Sequence, residues 1–312
     1  MSFVHAIKVF FGNFSLCYKT LVYKLIAIIL SVAIVATFMY NPLIEFYNMG
    51  GLDGLTNMFK AANISSFFAL SHTFFNNFAS TFNVLTESSK AAIIAGIIVF
   101  MFLVGFLYNL DRIPKADIIS NKLSSNMRLG YTGEFFKFLG YSALFSLVNM
   151  LYFVVSCAII GSLYVVIVNA FYSASLVSPV APFVIFVVLI ILITLANTIF
   201  GTHAATCVLN ESGVFSGLIK SVKNNFKNFL RVFSLNLGYV VLAVLVNVFA
   251  GLISAGALLI LTVPITIVFY DVLSCTICYN EHGNRYYIDP QTIITPRQNE
   301  SYDKVKNIID LI

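Results

Sequence analysis

The sequence predicts an all-α polytopic membrane protein: a bundle of six transmembrane helices with amphipathic helices at the membrane interface. Of its 312 residues, 59% are hydrophobic and only 10% are charged, whereas charged residues make up about 25% of a typical soluble domain. The charges are also clustered, because four long segments contain no Asp, Glu, Lys or Arg. Those segments cover residues 91–110, 141–172, 180–209 and 234–270.

The six spans are predicted to form one transmembrane domain over residues 1–283. A short amphipathic helix leads into the first span, and Lys24 is expected to reach back from that span to the interface. Asn41 and Pro42 form a turn pair that predicts the end of the first span. Pro264 predicts a kink in the last span. The predicted spans cover about residues 20–40, 90–110, 141–171, 183–208, 233–251 and 256–279.

Two segments are predicted to lie outside the spans. Residues 41–90 form the longest loop, on the outer side, and contain an uncharged amphipathic helix that is expected to lie on the outer leaflet or to cap the bundle. Residues 284–312 are polar and of mixed charge, which predicts a cytoplasmic tail. The apolar face of the outer helix comprises Phe67, Phe74, Phe78, Phe82 and Leu85.

A strongly amphipathic basic helix begins after Gly213. Four cations, Lys220, Lys223, Lys227 and Arg231, occupy one face, and an apolar face opposes them. A basic helix of this kind lies in the membrane interface, where each cation contributes roughly 1 kcal/mol toward an anionic leaflet. We therefore predict an anionic-lipid-binding surface on the inner leaflet; the alternative is that these cations only fix the topology. The apolar face comprises Val214, Phe215, Leu218, Ile219, Val222, Phe226, Phe229, Leu230 and Phe233.

The distribution of Lys and Arg predicts the orientation. The connection 111–140 carries five such residues and the connection 210–232 carries four, whereas residues 41–90 carry only Lys60 and Lys90. Since cytoplasmic loops are enriched in Lys and Arg, the basic connections are expected in the cytoplasm. The pattern therefore predicts a multi-pass protein of the cell membrane with both termini on the cytoplasmic side.

A short motif suggests an internal repeat. Residues 8–14 and 223–229 share the spacing Lys-x-x-Phe-x-Asn-Phe, and Phe135 and Phe138 repeat part of it, each just before a span. This spacing favours three units, each an interfacial helix followed by two spans. The alternative is chance, because Phe, Asn and Lys are frequent in this chain.

Polar residues inside the spans are few. They could line a polar path through the bundle, as in a permease, although hydrogen bonds between helices are the commoner use of such residues. Coupled carriers usually place carboxylates near the middle of the membrane, and Asp271 is the single candidate in the predicted spans. The residues of this candidate path are Asn149, Asn169, Asn197, His203, Asn236, Asn247 and Asp271.

Two residue pairs have the spacing of metal ligands on a helix. His203 and Cys207 are four residues apart, as are Asp271 and Cys275. Nothing in the sequence places the two pairs face to face, so buried, hydrogen-bonded polar groups are the favoured interpretation. The chain also lacks nucleophile-elbow, phosphate-loop and paired-histidine motifs. No catalytic residue, metal site or cofactor is therefore predicted.

One resemblance adds an expectation about the origin of the chain. The basic helix with its Phe and Asn residues, the paired spans after it, Cys278-Tyr279, Gly283 and Tyr286-Tyr287 carry it. With this pattern the chain resembles the uncharacterised polytopic membrane proteins of Gram-positive bacteria, over residues 210–290 and without a diagnostic motif. The resemblance implies a bacterial origin and transfers no activity.

The sequence thus favours a non-enzymatic membrane protein that interacts with lipid or organises the membrane through its surface helices. The alternative is a permease or lipid translocator. The expected partners are anionic lipids of the inner leaflet and, as a further candidate, another membrane protein. Nucleic acid is disfavoured, because the net charge of +5 borders the spans instead of forming a soluble basic face.

Overall fold

The computed structural model describes residues 2–53, 55, 64–125, 130–173, 181–254 and 256–281. Almost all of these residues are helical and none forms a strand, which confirms the predicted all-α fold. In chain order the helices are α1 (Ser2–Gly12), α2 (Ser15–Asn48), α3 (Ile64–Val84), α4 (Glu87–Leu110), α5 (Arg112–Ser125), α6 (Tyr131–Lys137), α7 (Leu139–Ser173), α8 (Ala181–Phe200), α9 (His203–Leu209), α10 (Val214–Lys227), α11 (Phe229–Ser254) and α12 (Leu259–Glu281).

Six stretches of the described chain are long and apolar enough to cross a membrane, as predicted. The last of them, in α12, is the most enclosed. In its most apolar segment 61% of the residues are buried, whereas the corresponding share in the other five is 11–28%. α12 is therefore an inner helix, and the others expose aliphatic surface that a bilayer would cover. The stretches are Ser15–Asn48, Glu87–Asn121, Leu139–Val166, Phe186–Leu209, Phe229–Ser254 and Leu259–Asn280.

The prediction that the helix of the first span ends at Asn41 and Pro42 was wrong. Helix α2 continues to Asn48 with Pro42 inside it. Proline removes one backbone donor, but a long apolar helix tolerates this loss when its other backbone bonds persist. The extension is also held from the side, because the Ser89 hydroxyl donates a hydrogen bond to the Glu45 carboxylate.

The connection after the second span is itself a buried helix. α5 places Ile113, Ile119 and Leu123 in the core at 0% exposure. Before the last span, Gly256 has φ +93° and its N–H donates to the Gly251 carbonyl oxygen at 2.9 Å. The predicted tail 284–312 lies outside the described residues.

The chain divides into two compact units. Unit 1 comprises Met1–Leu25, Phe106–Asn149 and Ile193–Ile312, and its core brings together residues of α1, α5, α9 and α12. Unit 2 comprises Ile26–Gly105 and Met150–Leu192. In unit 2 the apolar face of α3 packs inward, with the Phe78 ring 4.9 Å from that of Phe46. The side chain of Phe67 lies outside the described part.

Three junctions in unit 1 have the same form, and we call them elbows. In each, a short helix is interrupted and a span begins directly afterwards: at Asn13-Phe14, at Phe138 and at Asn228. Helical backbone bonding persists across the interruption. Asn228, for example, donates to the Asn224 carbonyl oxygen at 3.3 Å and accepts from the Val232 N–H at 3.0 Å. In the described chain, three short helices thus each precede two of the long apolar stretches.

The elbows also share the position of an inward contact. In each case the contacting residue follows the interruption by eleven positions, which is about 16 Å along a helix at 1.5 Å per residue. The residues are Lys24 after Asn13, Asn149 after Phe138 and Tyr239 after Asn228. Lys24 contacts Asp111 and Asn149 contacts His203. The Tyr239 hydroxyl donates to the Thr266 carbonyl oxygen at 3.2 Å. Each of these three spans therefore contacts the span that follows it in the chain at the same position, eleven residues after the interruption. The residue types that make the contact differ each time.

Candidate functional site

Helix α10 has three faces, not two. Gly217, Ser221 and Asn225 turn toward the protein and are buried, along with Val214. A β-carbon added at Gly217 would lie 2.4 Å from the Cys207 sulfur, so only glycine allows this close approach to α9. The sequence interpretation placed Val214 on a single apolar face; instead this residue is 2% exposed and packs against the protein.

The other two faces of α10 point away from the protein. Phe215, Ile219 and Phe226 form an apolar stripe with exposed fractions of 62%, 69% and 57%. Lys220 and Lys227 are exposed on the adjoining side. Such adjoining apolar and basic faces are the signature of a helix that lies in the interface of an anionic membrane. Of the predicted lipid-binding set, Lys223 and Arg231 are also exposed.

The buried face of α10 is tied to α8 and α9 by hydrogen bonds. Asn225 Nδ2 donates to the Ile199 carbonyl oxygen at 3.2 Å and to Thr202 Oγ1 at 2.9 Å. The Thr202 and Ser221 hydroxyl oxygens are 2.8 Å apart. These bonds fix the roll of α10 about its axis, and so decide which residues point outward.

His203 has both ring nitrogens engaged and is 0% exposed. Its Nε2 lies 2.9 Å from the Val214 carbonyl oxygen and donates to it, because a carbonyl can only accept. Nδ1 then accepts from Asn149 Nδ2 at 3.0 Å. The ring also packs against Phe145, with the ring centres 4.7 Å apart. These contacts are those of a buried residue that holds α7, α9 and α10 together.

The asparagines of the candidate polar path bond to backbone carbonyls one turn back in their own helix and to threonines of a neighbouring helix. Asn236 Nδ2 donates to the Val232 carbonyl oxygen at 3.0 Å and lies 3.5 Å from Thr198 Oγ1. Asn247 Nδ2 donates to the Ala243 carbonyl oxygen at 2.8 Å, and its Oδ1 accepts from Thr262 at 2.8 Å. Asn197 is half-buried, and the side chain of Asn169 lies outside the described part.

A buried cluster of five charged side chains is the most unusual feature of unit 1. Asp111 accepts from Lys24 Nζ at 2.8 Å and lies 3.2 Å from Lys115 Nζ. Lys115 Nζ is also 2.6 Å from Asp271 Oδ2, and Arg112 Nε is 3.6 Å from Asp271 Oδ1. The side chains of Lys115 and Asp111 are fully buried, and those of Asp271, Lys24 and Arg112 are 7%, 9% and 12% exposed.

The five charges do not balance, because three cations face two carboxylates. Carbonyl oxygens and aromatic rings solvate the cations at the two ends. Lys24 Nζ donates to the Tyr108 carbonyl oxygen and lies 3.9 Å from the centre of the Tyr108 ring. Arg112 donates to the Gly201 carbonyl oxygen at 3.3 Å. Buried charges this close to a bilayer are costly and usually carry a function.

Sequence reasoning missed this cluster. Lys24 was expected to reach back to the interface, and Arg112 and Lys115 were counted among the cations of the connection 111–140. Their burial against two carboxylates was not predicted. Asp271 was named, but as part of a polar path or a metal ligand pair. The one available signal was a Lys in the first span and an Asp at the end of the second, at matching depth.

The two metal-ligand pairs do not combine into a site. Among the described residues, no group of three or more His, Cys, Asp and Glu side chains is arranged to hold a metal ion. Asp271 is engaged by Lys115 and Arg112. Cys278, one turn beyond Cys275, lies 3.4 Å from the Thr206 hydroxyl.

The phenol of Tyr131, in the connection before the third span, borders the cluster. Burial raises the pKa of Tyr131, and the negative charge of Asp111 adds to the effect. The hydroxyl therefore stays protonated. Among the described residues it has no hydrogen-bond partner.

Comparison with known proteins adds no family to this description. No protein-family model, no curated protein and no solved structure matches the chain. The fold and the six long apolar helices are those of a multi-pass membrane protein.

Proposed function

We propose that the protein is a non-enzymatic component of a bacterial cell membrane that binds anionic lipid of the inner leaflet through α10. The connections that carry α5 and α10 then lie in the cytoplasm together with both termini. In this arrangement α10 recruits lipid headgroups with its lysines while its phenylalanines enter the acyl boundary.

One observation carries this proposal: the roll of α10 is fixed by buried hydrogen bonds, and the two faces left outside are apolar and basic. A helix that merely set topology would need the charges but not an adjoining apolar stripe with Ile219 69% exposed. Because the roll is fixed, Lys220, Lys223 and Lys227 are held beside that stripe without further ordering. Their side chains therefore meet headgroups at the depth where the stripe meets acyl chains.

The test replaces Lys220, Lys223 and Lys227 together by Gln. At roughly 1 kcal/mol for each exposed cation at low salt, the loss should remove most of any preference for anionic lipid. The measurement is the association constant of spin-labelled phosphatidylglycerol relative to phosphatidylcholine for the reconstituted protein. We expect the ratio to be above one for the natural chain and to fall toward one in the variant.

Two variants serve as controls. Replacing the same three lysines by Arg keeps the charge and should keep the preference. Replacing Lys90 by Gln removes a cation at the start of α4, away from α10 and from the elbows, and should leave the ratio nearly unchanged. An unaltered ratio in the triple Gln variant, or an equal fall in the Lys90 variant, would contradict the proposal.

The orientation is tested separately. Four of the five native cysteines are buried, and replacing all five by alanine gives a background for single-cysteine labelling. In that background, Gly130→Cys, at an exposed position before α6, should resist a membrane-impermeant maleimide in intact cells. Labelling from outside would show that the topology is the reverse of the one proposed.

A second function, permease or lipid translocator, is favoured by the buried charge cluster. Intramembrane charges often mark the path of a substrate or ion. If the cluster serves transport, Asp271→Asn should abolish transbilayer movement of a fluorescent anionic lipid analogue in proteoliposomes made with the natural chain. Absence of any such movement with the natural chain would remove lipid translocation from consideration.

A further inference from the structure

The three elbows share an outward residue as well as an inward one. Two residues before each interruption lies a phenylalanine: Phe11, Phe136 and Phe226. Their exposed fractions are 65%, 66% and 57%. The three values are nearly equal although the surrounding sequences differ, so the register of the elbow, and not local composition, sets the direction of these rings.

Each of these rings belongs to a larger apolar surface that no described residue covers. On α1, Val4 is 57% exposed and Ile7 is 39% exposed. After the second elbow, Leu139 is 40% exposed, and after the third, Leu230 is 81% exposed. A water-facing surface of this kind is disfavoured in a soluble environment, and each elbow leads directly into a span.

Cations accompany the rings at the second and third elbows. Lys137 follows Phe136 directly and its side chain is 58% exposed, while Lys227 follows Phe226 and is exposed. A phenylalanine that enters the acyl boundary next to a lysine that stays at the headgroups is the pattern of an interfacial helix. Because the chain crosses the membrane twice between successive elbows, all three lie on the same side.

We infer that Phe11, Phe136 and Phe226 are equivalent membrane anchors, which enter the acyl–headgroup boundary of one leaflet at one common depth. The equal depth follows from the contacts made eleven residues after each interruption, which fasten the three spans at an equivalent step. The inference rests on the proposed function only in placing the elbows at a bilayer. It requires no anionic headgroup, since the rings are uncharged.

The chain contains no tryptophan, so a single Phe→Trp substitution gives an unambiguous fluorescent reporter. Phe11→Trp, Phe136→Trp and Phe226→Trp are made separately in the full chain and reconstituted into vesicles of phosphatidylcholine brominated at a shallow, middle or deep acyl position. A fourth variant, Ile29→Trp, calibrates the deep position, because Ile29 is 66% exposed and lies well inside the first span. Size-exclusion chromatography of each variant checks that it remains folded.

We expect the three elbow variants to be quenched most by shallow bromines with closely matching depth profiles, and Ile29→Trp to be quenched most by deep ones. Different profiles among the three elbows would overturn the common depth. Blue-shifted emission without quenching by any brominated lipid would show that another protein chain covers the elbows, and emission typical of water would place them outside the membrane; either result overturns the inference. Since these vesicles contain no anionic lipid, failure here is distinct from failure of the lipid-preference test.

Discussion

The buried charge cluster allows a graded prediction, because its five members do not contribute equally to its charge balance. Replacing Asp271 by Asn leaves three cations with one carboxylate, and it strips the partner from Lys115 at 2.6 Å and from Arg112 at 3.6 Å. Replacing Lys24 by Met leaves two cations with two carboxylates. Asp111 then keeps Lys115 at 3.2 Å.

The magnitudes follow from burial. Removing one partner of a buried ion pair leaves an uncompensated charge and costs about 3–5 kcal/mol. Asp271→Asn should therefore lower the free energy of unfolding by about this amount. The cost arises from the uncompensated charge that is left behind. Lys24→Met leaves two cations with two carboxylates, so it should cost clearly less than Asp271→Asn.

The assay is reversible unfolding in mixed detergent micelles, followed by the far-ultraviolet circular dichroism of the helices. A third variant, Lys115→Met combined with Asp271→Asn, removes one charge of each sign and should be more stable than Asp271→Asn alone. Equal losses for Lys24→Met and Asp271→Asn would refute the charge-balance reasoning. So would a double variant no more stable than the single one.

Two further predictions concern close packing and the buried histidine. Gly201→Ala should destabilise the protein, because the new β-carbon would lie 2.0 Å from the Tyr270 hydroxyl and 2.3 Å from the Asn197 carbonyl oxygen, whereas Gly161→Ala, with no atom within 4 Å, should be neutral or slightly stabilising. Comparison of the two melting temperatures tests this, and an equal effect at both sites would contradict it. His203→Ala should cost about 1–3 kcal/mol by leaving Asn149 and the Val214 carbonyl oxygen without their partner. His72→Ala is the control, because His72 is a half-exposed residue of α3. If the His203→Ala variant were as stable as the natural chain, these hydrogen bonds would contribute little to stability.

Hydrophobic patterning predicted the architecture well, because a span is specified by its own residues. Long apolar stretches with few charges predicted the six apolar helices, and the short Phe- and Asn-containing motif coincides with the first and third elbows. The error at Pro42 arose because a turn signal was weighed without its context. In the structure, the helix continues past Pro42, and Glu45 in this extension accepts a hydrogen bond from Ser89, more than forty residues later in the chain.

The candidate sites were less predictable, for a different physical reason. The roll of α10 depends on Thr202 and Ile199 in a neighbouring segment, so the split of its apolar face could not be inferred from its own periodicity. The charge cluster depends on contacts between residues from the first, second and last spans. The sequence around a charged residue does not show whether water or a distant counter-charge will surround it. Because these cations lie next to the predicted spans, exposure to water at the interface was the natural prediction.

The dependence of Lys115 on two carboxylates has a consequence for biosynthesis. Asp111 is made soon after Lys24 and can accompany it into the bilayer, but Asp271 is made only with the final span. Until then, a nascent chain contains three cations of the future cluster and a single anion. Completion of the last hairpin therefore supplies the second carboxylate, and a chain truncated before it keeps an excess of two positive charges among these residues.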